Sequence, residues 1–341
     1  MTRLNRNLAV GVGVLLVLSV LVYRQSVRRI DRFERGQKLL QNLDPDEIAV
    51  VKLRLGDQSV TLSRVGDRFT VIEEGGYRAA NDRVNRLLRD LLEVRLEKEV
   101  GSGSALEEEL GLDGDSATEI ELSDDSEQQM VSLRVASGEP GRTYVQRTDD
   151  EQRMVYLTAG SISLGTAADG YLDKQLLDVG PSEIARIEGP DFAFERDDSD
   201  ELRLIDVPTG RSEKAGETGK MKGALRNLRF DGVEVADAEA VRNLVFVSAL
   251  RFELTDASGY QLETAAGGDG RYLRVRAFHT VDRIEVARDE SEEELEEKAA
   301  VLSRVDEVAR FNEYHGSWVY RLTDPVADKL ELRKGDLLAD G

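Results

Sequence analysis

The feature that most constrains this chain is an uncharged apolar run near its start. Residues Leu8 to Tyr23 carry no charged side chain and contain only one serine, Ser19. A helix of this length spans about 24 Å, and snorkelling arginines on both sides extend its reach toward a hydrocarbon core of about 30 Å. The sequence therefore predicts a transmembrane helix within residues 1–25 that anchors the rest of the chain. The predicted span includes Leu8, Gly11, Gly13, Leu15, Leu18 and Tyr23.

The residues behind this run decide between an anchor and a cleaved signal peptide. The run ends in Val22-Tyr23-Arg24-Gln25 rather than in the small residues of a cleavage site, which favours an uncleaved signal anchor. More arginines follow the run than precede it, which by the positive-inside rule leaves a cytoplasmic domain open. A long domain behind a short anchor is nevertheless translocated regardless of charge. We therefore expect a single-pass protein of the bacterial inner membrane with its bulk on the periplasmic side.

Charge and cysteine content exclude several classes of function. The chain has 67 acidic and 46 basic residues, a net charge of −21, so a polyanion such as nucleic acid would be repelled. Cysteine is absent, which excludes disulfides, thiolate metal sites and a cysteine nucleophile. Nucleic acid is therefore not an expected partner, whereas membrane lipid is one, through the N-terminal helix.

The chain behind the anchor is predicted to form a stalk and a first folded unit. An arginine-rich juxtamembrane stalk helix is expected over residues 26–45, where Asp44-Pro45 ends it. The first unit, 46–180, opens with strand-like runs separated by turns at Gly56-Asp57 and Gly66-Asp67. An amphipathic helix starting at Asn81 follows, and then a meander of further strands. The helix places Val84, Leu87, Leu88, Leu91 and Leu92 on one apolar stripe.

A second unit, 181–341, repeats this order. Ser182 to Ile187 echoes Asp46 to Val51, and Trp318 to Leu322 echoes Met154 to Leu157. A helix is expected at 219–228, a short one at 238–243, and strands at 250–255, 260–264, 272–276 and 284–287. An acidic helical insertion is expected at 290–303. The predicted fold class is α+β: one transmembrane helix followed by two tandem, similar units of antiparallel sheet and helix.

Several segments resemble a known family. They are Arg68-Phe69-Thr70-Val71, Tyr77-Arg78-Ala79-Ala80, Glu109-Leu110-Gly111-Leu112-Asp113, Tyr171 to Leu177, Trp318 to Leu322, Val326 to Leu330 and Asp336-Leu337-Leu338. Together these segments resemble a bacterial domain-of-unknown-function family found alongside gliding-motility-type (GldG-like) ABC transporter subunits. Phe69 stands where the family often has tryptophan, and the second unit carries the acidic insertion. The resemblance implies a membrane-tethered accessory protein of an ABC-type export or remodelling system, and it implies no active site.

Motifs for catalysis or cofactor binding do not emerge. Gly219-Lys220 resembles the end of a phosphate loop, but Met221 replaces the required hydroxyl residue. The acidic clusters near Asp113, Asp124 and Asp197 lack the calcium-loop spacing and are typical of solvated loops. His315 is expected in a turn and Trp318 in the core. No catalytic residue, metal ligand or cofactor is therefore predicted.

One charged run remains as a candidate contact surface. Its acidic residues, either a solvated helix face or a docking surface for a basic partner, are Glu292, Glu293, Glu294, Glu296 and Glu297.

Three functional hypotheses follow. The leading hypothesis is a non-enzymatic accessory subunit that binds an ABC permease, its ATPase or a second accessory subunit. The alternative is a module that binds an envelope glycan or lipid. A hydrolase using two carboxylates is the third, and it requires two acids in a cleft with one raised pKa.

Overall fold

The structure, a computed structural model, describes residues 33–41, 43–268, 270–280 and 291–339. The predicted transmembrane segment lies outside these residues. Within them, no helix has both the length and the apolar character needed to cross a membrane. The described chain is a mixed α+β protein built from antiparallel sheets and few helices, as the sequence predicts.

The chain divides into two compact units, which are interleaved in sequence. Unit 1 runs to Asp67 and resumes over Asn81–Ala167, whereas unit 2 combines Arg68–Ala80 with the chain from Ala168 onward. Unit 2 is therefore discontinuous, because a thirteen-residue segment from within the first half belongs to it.

The described part of unit 1 is an antiparallel sheet with two α-helices. Its strands are β1 (Val50–Leu55), β2 (Gln58–Val65), β5 (Leu96–Gly101), β6 (Thr118–Ser123), β7 (Gln129–Ser137), β8 (Thr143–Arg147) and β9 (Val155–Thr158), and its helices are α1 (Asn81–Leu92) and α2 (Ser104–Glu109). The strands follow the order β2-β1-β6-β7-β8-β9-β5. The β6 to β9 meander, together with β1 and β2, forms by adjacent hairpin pairing, while β5 returns to the far edge beside β9.

The core of unit 1 is formed by the buried apolar residues that alternate along its strands and by the apolar stripe of α1. Val51 and Leu53 of β1 are fully buried, as are Ile120 and Leu122 of β6. Four of the five predicted stripe residues of α1 are buried, and Leu92 is half-buried. The helix prediction is therefore confirmed.

Unit 2 contains a larger set of elements. Its strands are β3 (Arg68–Val71), β4 (Tyr77–Arg78), β10 (Gln175–Leu177), β11 (Ile184–Glu188), β12 (Ala193–Arg196), β13 (Leu202–Leu204), β14 (Ser212–Glu213), β15 (Leu228–Arg229), β16 (Gly232–Val235), β17 (Ser248–Leu254), β18 (Ser258–Gly267), β19 (Gly270–His279), β20 (Trp318–Leu322) and β21 (Leu338–Ala339). Its helices are α3 (Ala215–Lys222), α4 (Glu292–His315), α5 (Asp324–Leu330) and α6 (Lys334–Leu337). The main sheet has the order β13-β12-β11-β17-β18-β19-β20-β16, with all neighbours antiparallel.

The two main sheets share one strand order. In each, a hairpin (β1–β2 or β11–β12) adjoins a four-stranded meander (β6–β9 or β17–β20), and the strand preceding the meander in sequence (β5 or β16) closes the far edge. The entry to each hairpin is also alike. Ile48 and Ile184 are both fully buried, and each directly follows a 3-10 turn that opens with proline.

Each sheet has one face of ionic pairs. In unit 1, Glu119 of β6 accepts from Arg54 of β1 (Nε, 3.1 Å) and from Arg134 of β7 (Nη2, 3.0 Å). The hydrogen bond from Arg54 holds the pKa of Glu119 below its usual range. In unit 2, Arg186 pairs with Glu188 at 2.7 Å and also with Glu195. These charged side chains alternate along the strands with buried apolar residues. The two-residue period of a β-strand therefore places them together on one face of each sheet.

Four of the predicted helices require correction. Residues 33–41 are not helical as the stalk prediction requires: Gly36 and Leu39 donate backbone hydrogen bonds to Leu96 and Val94, and burial of Leu39 and Leu40 favours this irregular path. The second-unit helix lies at Ala215–Lys222, earlier than predicted, and 238–243 forms turns. The acidic insertion helix is also longer than predicted, ending at His315.

Candidate functional site

The main sheet of unit 2 forks between β19 and β20. These strands pair at only three positions, Arg271↔Leu322, Tyr272↔Arg321 and Leu273↔Tyr320. β19 then continues to His279, paired with β18 along its whole length. In unit 1 a short loop joins β8 to β9, whereas the connection from β19 to β20 contains α4. We attribute the fork to this insertion, because the end of α4 lies beside β19 where a longer β20 would pair.

Asn312 of α4 replaces a partner strand at one position of β19. Its Oδ1 accepts from the backbone N–H of Ala277 and its Nδ2 donates to the carbonyl of the same residue, both at 2.8 Å. Both polar groups of Ala277 therefore face away from β18. Since peptide groups in an antiparallel strand alternate in direction, those of Val275, two residues earlier, face the same side. Val275 thus presents its peptide groups to the fork between the last strand pair and Asn312.

A cavity of about 240 Å3 occupies the fork. It is lined by Ala236, Gln261, Glu263, Arg274, Val275, Arg276, His315, Gly316 and Trp318. Gln261 pairs with Arg276 and Glu263 with Arg274 across β18 and β19, so these four side chains lie on one sheet face. The cavity is smaller than the roughly 300–1,000 Å3 typical of small-molecule sites. It suits one amino-acid residue or one small polar group.

His315 forms a buried neutral wall of the cavity. It is 4% exposed, and its Nδ1 hydrogen-bonds with the hydroxyl of Tyr320. The Phe311 ring lies 4.1 Å from the imidazole, centroid to centroid. Burial, and secondarily the charge of Arg78, lowers the pKa of His315 to about 3. The imidazole is therefore neutral near pH 7, and Nε2 has no hydrogen-bond partner among the described residues.

An aromatic cluster of unit 2 holds Trp318 and His315 in place. Tyr77, fully buried at its centre, meets Trp318 edge-on at 5.0 Å and Phe230 edge-on at 5.4 Å between ring centroids. Burial raises the pKa of Tyr77 and of Tyr320. These phenols remain protonated near neutral pH, so the cluster supplies packing and hydrogen bonds rather than proton transfer.

Two arginines stand at the rim without a carboxylate partner. Arg274 lies over the ring of Phe246 at 4.1 Å, and Arg276 is exposed. Within the described part of the chain, neither has an acidic group at ion-pair distance, although Glu263 is directly opposite Arg274. Glu263 instead accepts from the amide of Gln261 at 3.1 Å. By contrast, Arg251 on the same face pairs with Glu253 at 3.1 Å. The cavity rim therefore has positive charge that is not neutralised by an ion pair.

Of the residues singled out from the sequence, only His315 and Trp318 line this cavity. His315 was expected in a turn, but it is the buried last residue of α4. The predicted membrane-span residues lie outside the described ranges. The predicted docking run begins α4: Glu296 is exposed, and the side chains of the other four glutamates lie outside the description. Trp318 is buried as predicted, and it also lines the cavity. The signal that sequence reasoning missed is the cluster of His315, Gly316 and Trp318 directly behind a long insertion.

The acidic loops use their carboxylates to close turns. Asp124 accepts from the backbone of Ser126 and Gln128, and Asp197 accepts from that of Ser199 and Glu201, at 2.8 to 3.0 Å. Across the ranges that the structure describes, no three histidine or carboxylate side chains converge as a metal site.

One carboxyl group bears on the hydrolase hypothesis. The pKa of Glu74 is raised, first by burial and then by the charges of Asp169 and Glu234. Glu74 does not line the fork cavity.

The fold and the cavity together define a class: an α+β protein of antiparallel sheets with a small polar cleft in the main sheet of unit 2. A family model described as a domain of unknown function (DUF4340) matches residues 70–264, more than half of the chain. The chain belongs to the DUF4340 family. No curated protein and no solved structure matches it.

Proposed function

We propose that this protein is a membrane-anchored, non-enzymatic accessory subunit of an ABC-type transport or envelope-remodelling system. It would act by binding another protein. The observation that carries this proposal is the fork cavity, where strand peptide groups, unpaired arginines and a neutral histidine meet. These groups can bind another molecule through hydrogen bonds and charge. A site of this size fits part of a polypeptide.

The sequence supports the cellular setting of this proposal. The apolar run at Leu8–Tyr23 supplies an anchor in the bacterial inner membrane, with the two units on the periplasmic side. The resemblance to proteins encountered with GldG-like subunits suggests the permease, the ATPase or a second accessory subunit as the partner.

Gene duplication explains how such a site arose. The shared strand order and the matching entries at Ile48 and Ile184 support two tandem, similar units. A duplicated copy can acquire an insertion while the other keeps the short β8–β9 loop. In this account α4 converted one copy of a structural sheet into a binding sheet.

Purification of the full-length protein from native membranes in mild detergent tests the proposal. Stoichiometric recovery of an ABC permease and ATPase, identified by mass spectrometry, is the expected result. Recovery of the protein alone from membranes that contain both would refute it.

A matched pair of variants tests whether the anchor contributes to the contact. Gly11 and Gly13 would let a permease helix approach closely. Replacing both by leucine should reduce co-purification while leaving unit 2 folded, as reported by the near-ultraviolet spectrum of Trp318. Replacing Leu15 and Leu18 by valine preserves the apolar character and should retain the partner. If both variants lose the partner equally, Gly11 and Gly13 do not form the contact.

Binding of an envelope glycan is a second candidate, favoured by one observation. Trp318 borders the cavity beside the polar side chains of Gln261 and Glu263, and aromatic rings beside hydrogen-bonding groups are suited to sugars. Titration with N-acetylglucosamine, followed by Trp318 fluorescence, tests it. Glucosamine, which lacks the acetamido group, is the control.

A further inference from the structure

The peptide groups at Val275 occupy a gap of defined length. The pair Leu273↔Tyr320 closes one end and the Ala277–Asn312 contact closes the other. Arg274, Val275 and Arg276 lie between these ends. Strand pairing at this gap is therefore available to about three residues of another chain.

The directions of the β19 side chains determine which residue types a bound three-residue segment should have. A residue opposite Val275 in a paired segment has its two neighbours opposite Arg274 and Arg276, on the polar face. Both arginines lack carboxylate partners within the described residues, and neutral His315 adds no charge of its own. Acidic side chains at both flanking positions would meet the rim arginines.

We infer that the fork cavity binds a short extended segment of a partner polypeptide with the pattern acidic–any–acidic, whose central peptide group hydrogen-bonds to Val275. This inference deepens the proposed protein-binding function and rests on it. A polypeptide fits this cavity better than a glycan for two reasons. Asn312 already shows an amide group bound to β19 in this manner, and Trp318 is only 9% exposed, which leaves little ring for a sugar to stack on.

The opposing charge is Glu263, which also lines the cavity. Its hydrogen bond with Gln261 places it beside the rim, where it would repel a second carboxylate. Two arginines against one glutamate leave a net positive rim in a chain of net charge −21. The negative net charge of the chain as a whole opposes binding of acidic peptides, so a locally positive rim favours this site for an acidic segment.

The sole tryptophan of the chain makes the test direct. Trp318 lines the cavity, so tryptophan fluorescence of the full-length protein in detergent comes from a single residue at this site. The probe is acetyl-Glu-Val-Glu-amide. The controls are acetyl-Lys-Val-Lys-amide and an acidic peptide methylated on the valine nitrogen, which keeps both charges but lacks the central donor.

We expect the acidic tripeptide to change the fluorescence, and both control peptides to bind at least about tenfold more weakly, because each loses charge-assisted or backbone hydrogen bonds. Arg276→Glu should weaken the acidic tripeptide by about tenfold or more. Arg226→Glu, an equal charge change at an exposed arginine outside the cavity, should leave binding within about twofold. Unchanged near-ultraviolet spectra show that both variants are folded.

Four results would overturn the inference: no response to millimolar acidic tripeptide, equal response to the lysine peptide, full binding of the methylated peptide, or no effect of Arg276→Glu. A response to N-acetylglucosamine with none to the peptide would also overturn it and assign the cavity to a glycan. If membrane purification recovers the permease equally well with Arg276→Glu, the proposed function stands and only the fork assignment fails.

Discussion

Asn312 offers the sharpest test of how the fork is built. Its carboxamide satisfies the N–H and the C=O of Ala277, a residue that is only 5% exposed. In Asn312→Leu both backbone groups lose their partner with limited access to water. Each orphaned group costs about 1–3 kcal/mol, so the free energy of unfolding of unit 2 should fall by about 2–6 kcal/mol.

The assay is equilibrium denaturation followed by Trp318, combined with hydrogen exchange at the Ala277 amide. That amide should exchange about tenfold faster or more in Asn312→Leu, since 1.4 kcal/mol corresponds to a factor of ten. Asn243→Leu, at an exposed position of unit 2, is the matched control, and its change should stay within about 0.5 kcal/mol. If Asn312→Leu costs no more than Asn243→Leu, the amide does not replace a strand and the reasoning fails.

A second substitution separates the two hydrogen bonds. In Asn312→Asp the introduced carboxylate still accepts from the Ala277 N–H, but it repels the Ala277 carbonyl until it is protonated. Its folded pKa should therefore lie above the unfolded value of about 3.9, so the folded state binds the extra proton. Relative to wild type, the loss of stability should be full above the folded pKa and should diminish as pH falls toward about 3.9. A deficit that is constant with pH would contradict this account.

Three further predictions follow from unit 2. Because the pKa of His315 is about 3 when folded and about 6.5 when unfolded, stability should fall as pH decreases from about 6.5 to about 3, and His315→Phe should remove this part of the slope in unfolding measurements. Gly75→Ala should cost about 1–3 kcal/mol, more than Gly76→Ala, because both have positive φ but only at Gly75 would the added Cβ lie 2.8 Å from Val235; equal melting temperatures would contradict it. Glu263→Gln should strengthen binding of the acidic tripeptide about two- to fivefold, and weaker binding in the Trp318 titration would show that Glu263 helps to hold the ligand.

The strand pattern of this fold could be predicted from the sequence where neighbours alternate strictly. The strands predicted at 260–264 and 272–276 lie within β18 and β19. β5 was not predicted, because Leu96-Glu-Lys-Glu-Val-Gly offers one buried leucine among charged residues typical of a helix. Its strand geometry comes from pairing with β9, a partner about sixty residues away. Tertiary pairing of this kind leaves no local signal.

The fork was outside the reach of sequence reasoning for a similar reason. The insertion was recognised by its acidic residues, and its helix was predicted to end at Ser303. The helix continues because Val305 and Val308 extend its half-buried stripe toward Asn312 and His315. No local pattern indicates that an asparagine side chain pairs with a strand. The cavity depends on that contact, so its lining residues could not be assembled from the sequence alone.

The interleaving of the two units has a consequence for biogenesis. The segment Arg68–Ala80 leaves the ribosome long before the rest of unit 2, and it brings the large apolar side chain of Tyr77 with it. Phe230, Trp318 and Tyr320, which surround that ring, are synthesised about 150 to 240 residues later. A ribosome adds about 5–20 residues per second. The segment Arg68–Ala80 is therefore without these three aromatic partners for roughly ten seconds or more. Until those residues are synthesised, Tyr77 lacks its packing partners, and a chaperone that shields it would determine how much of the protein reaches its native state.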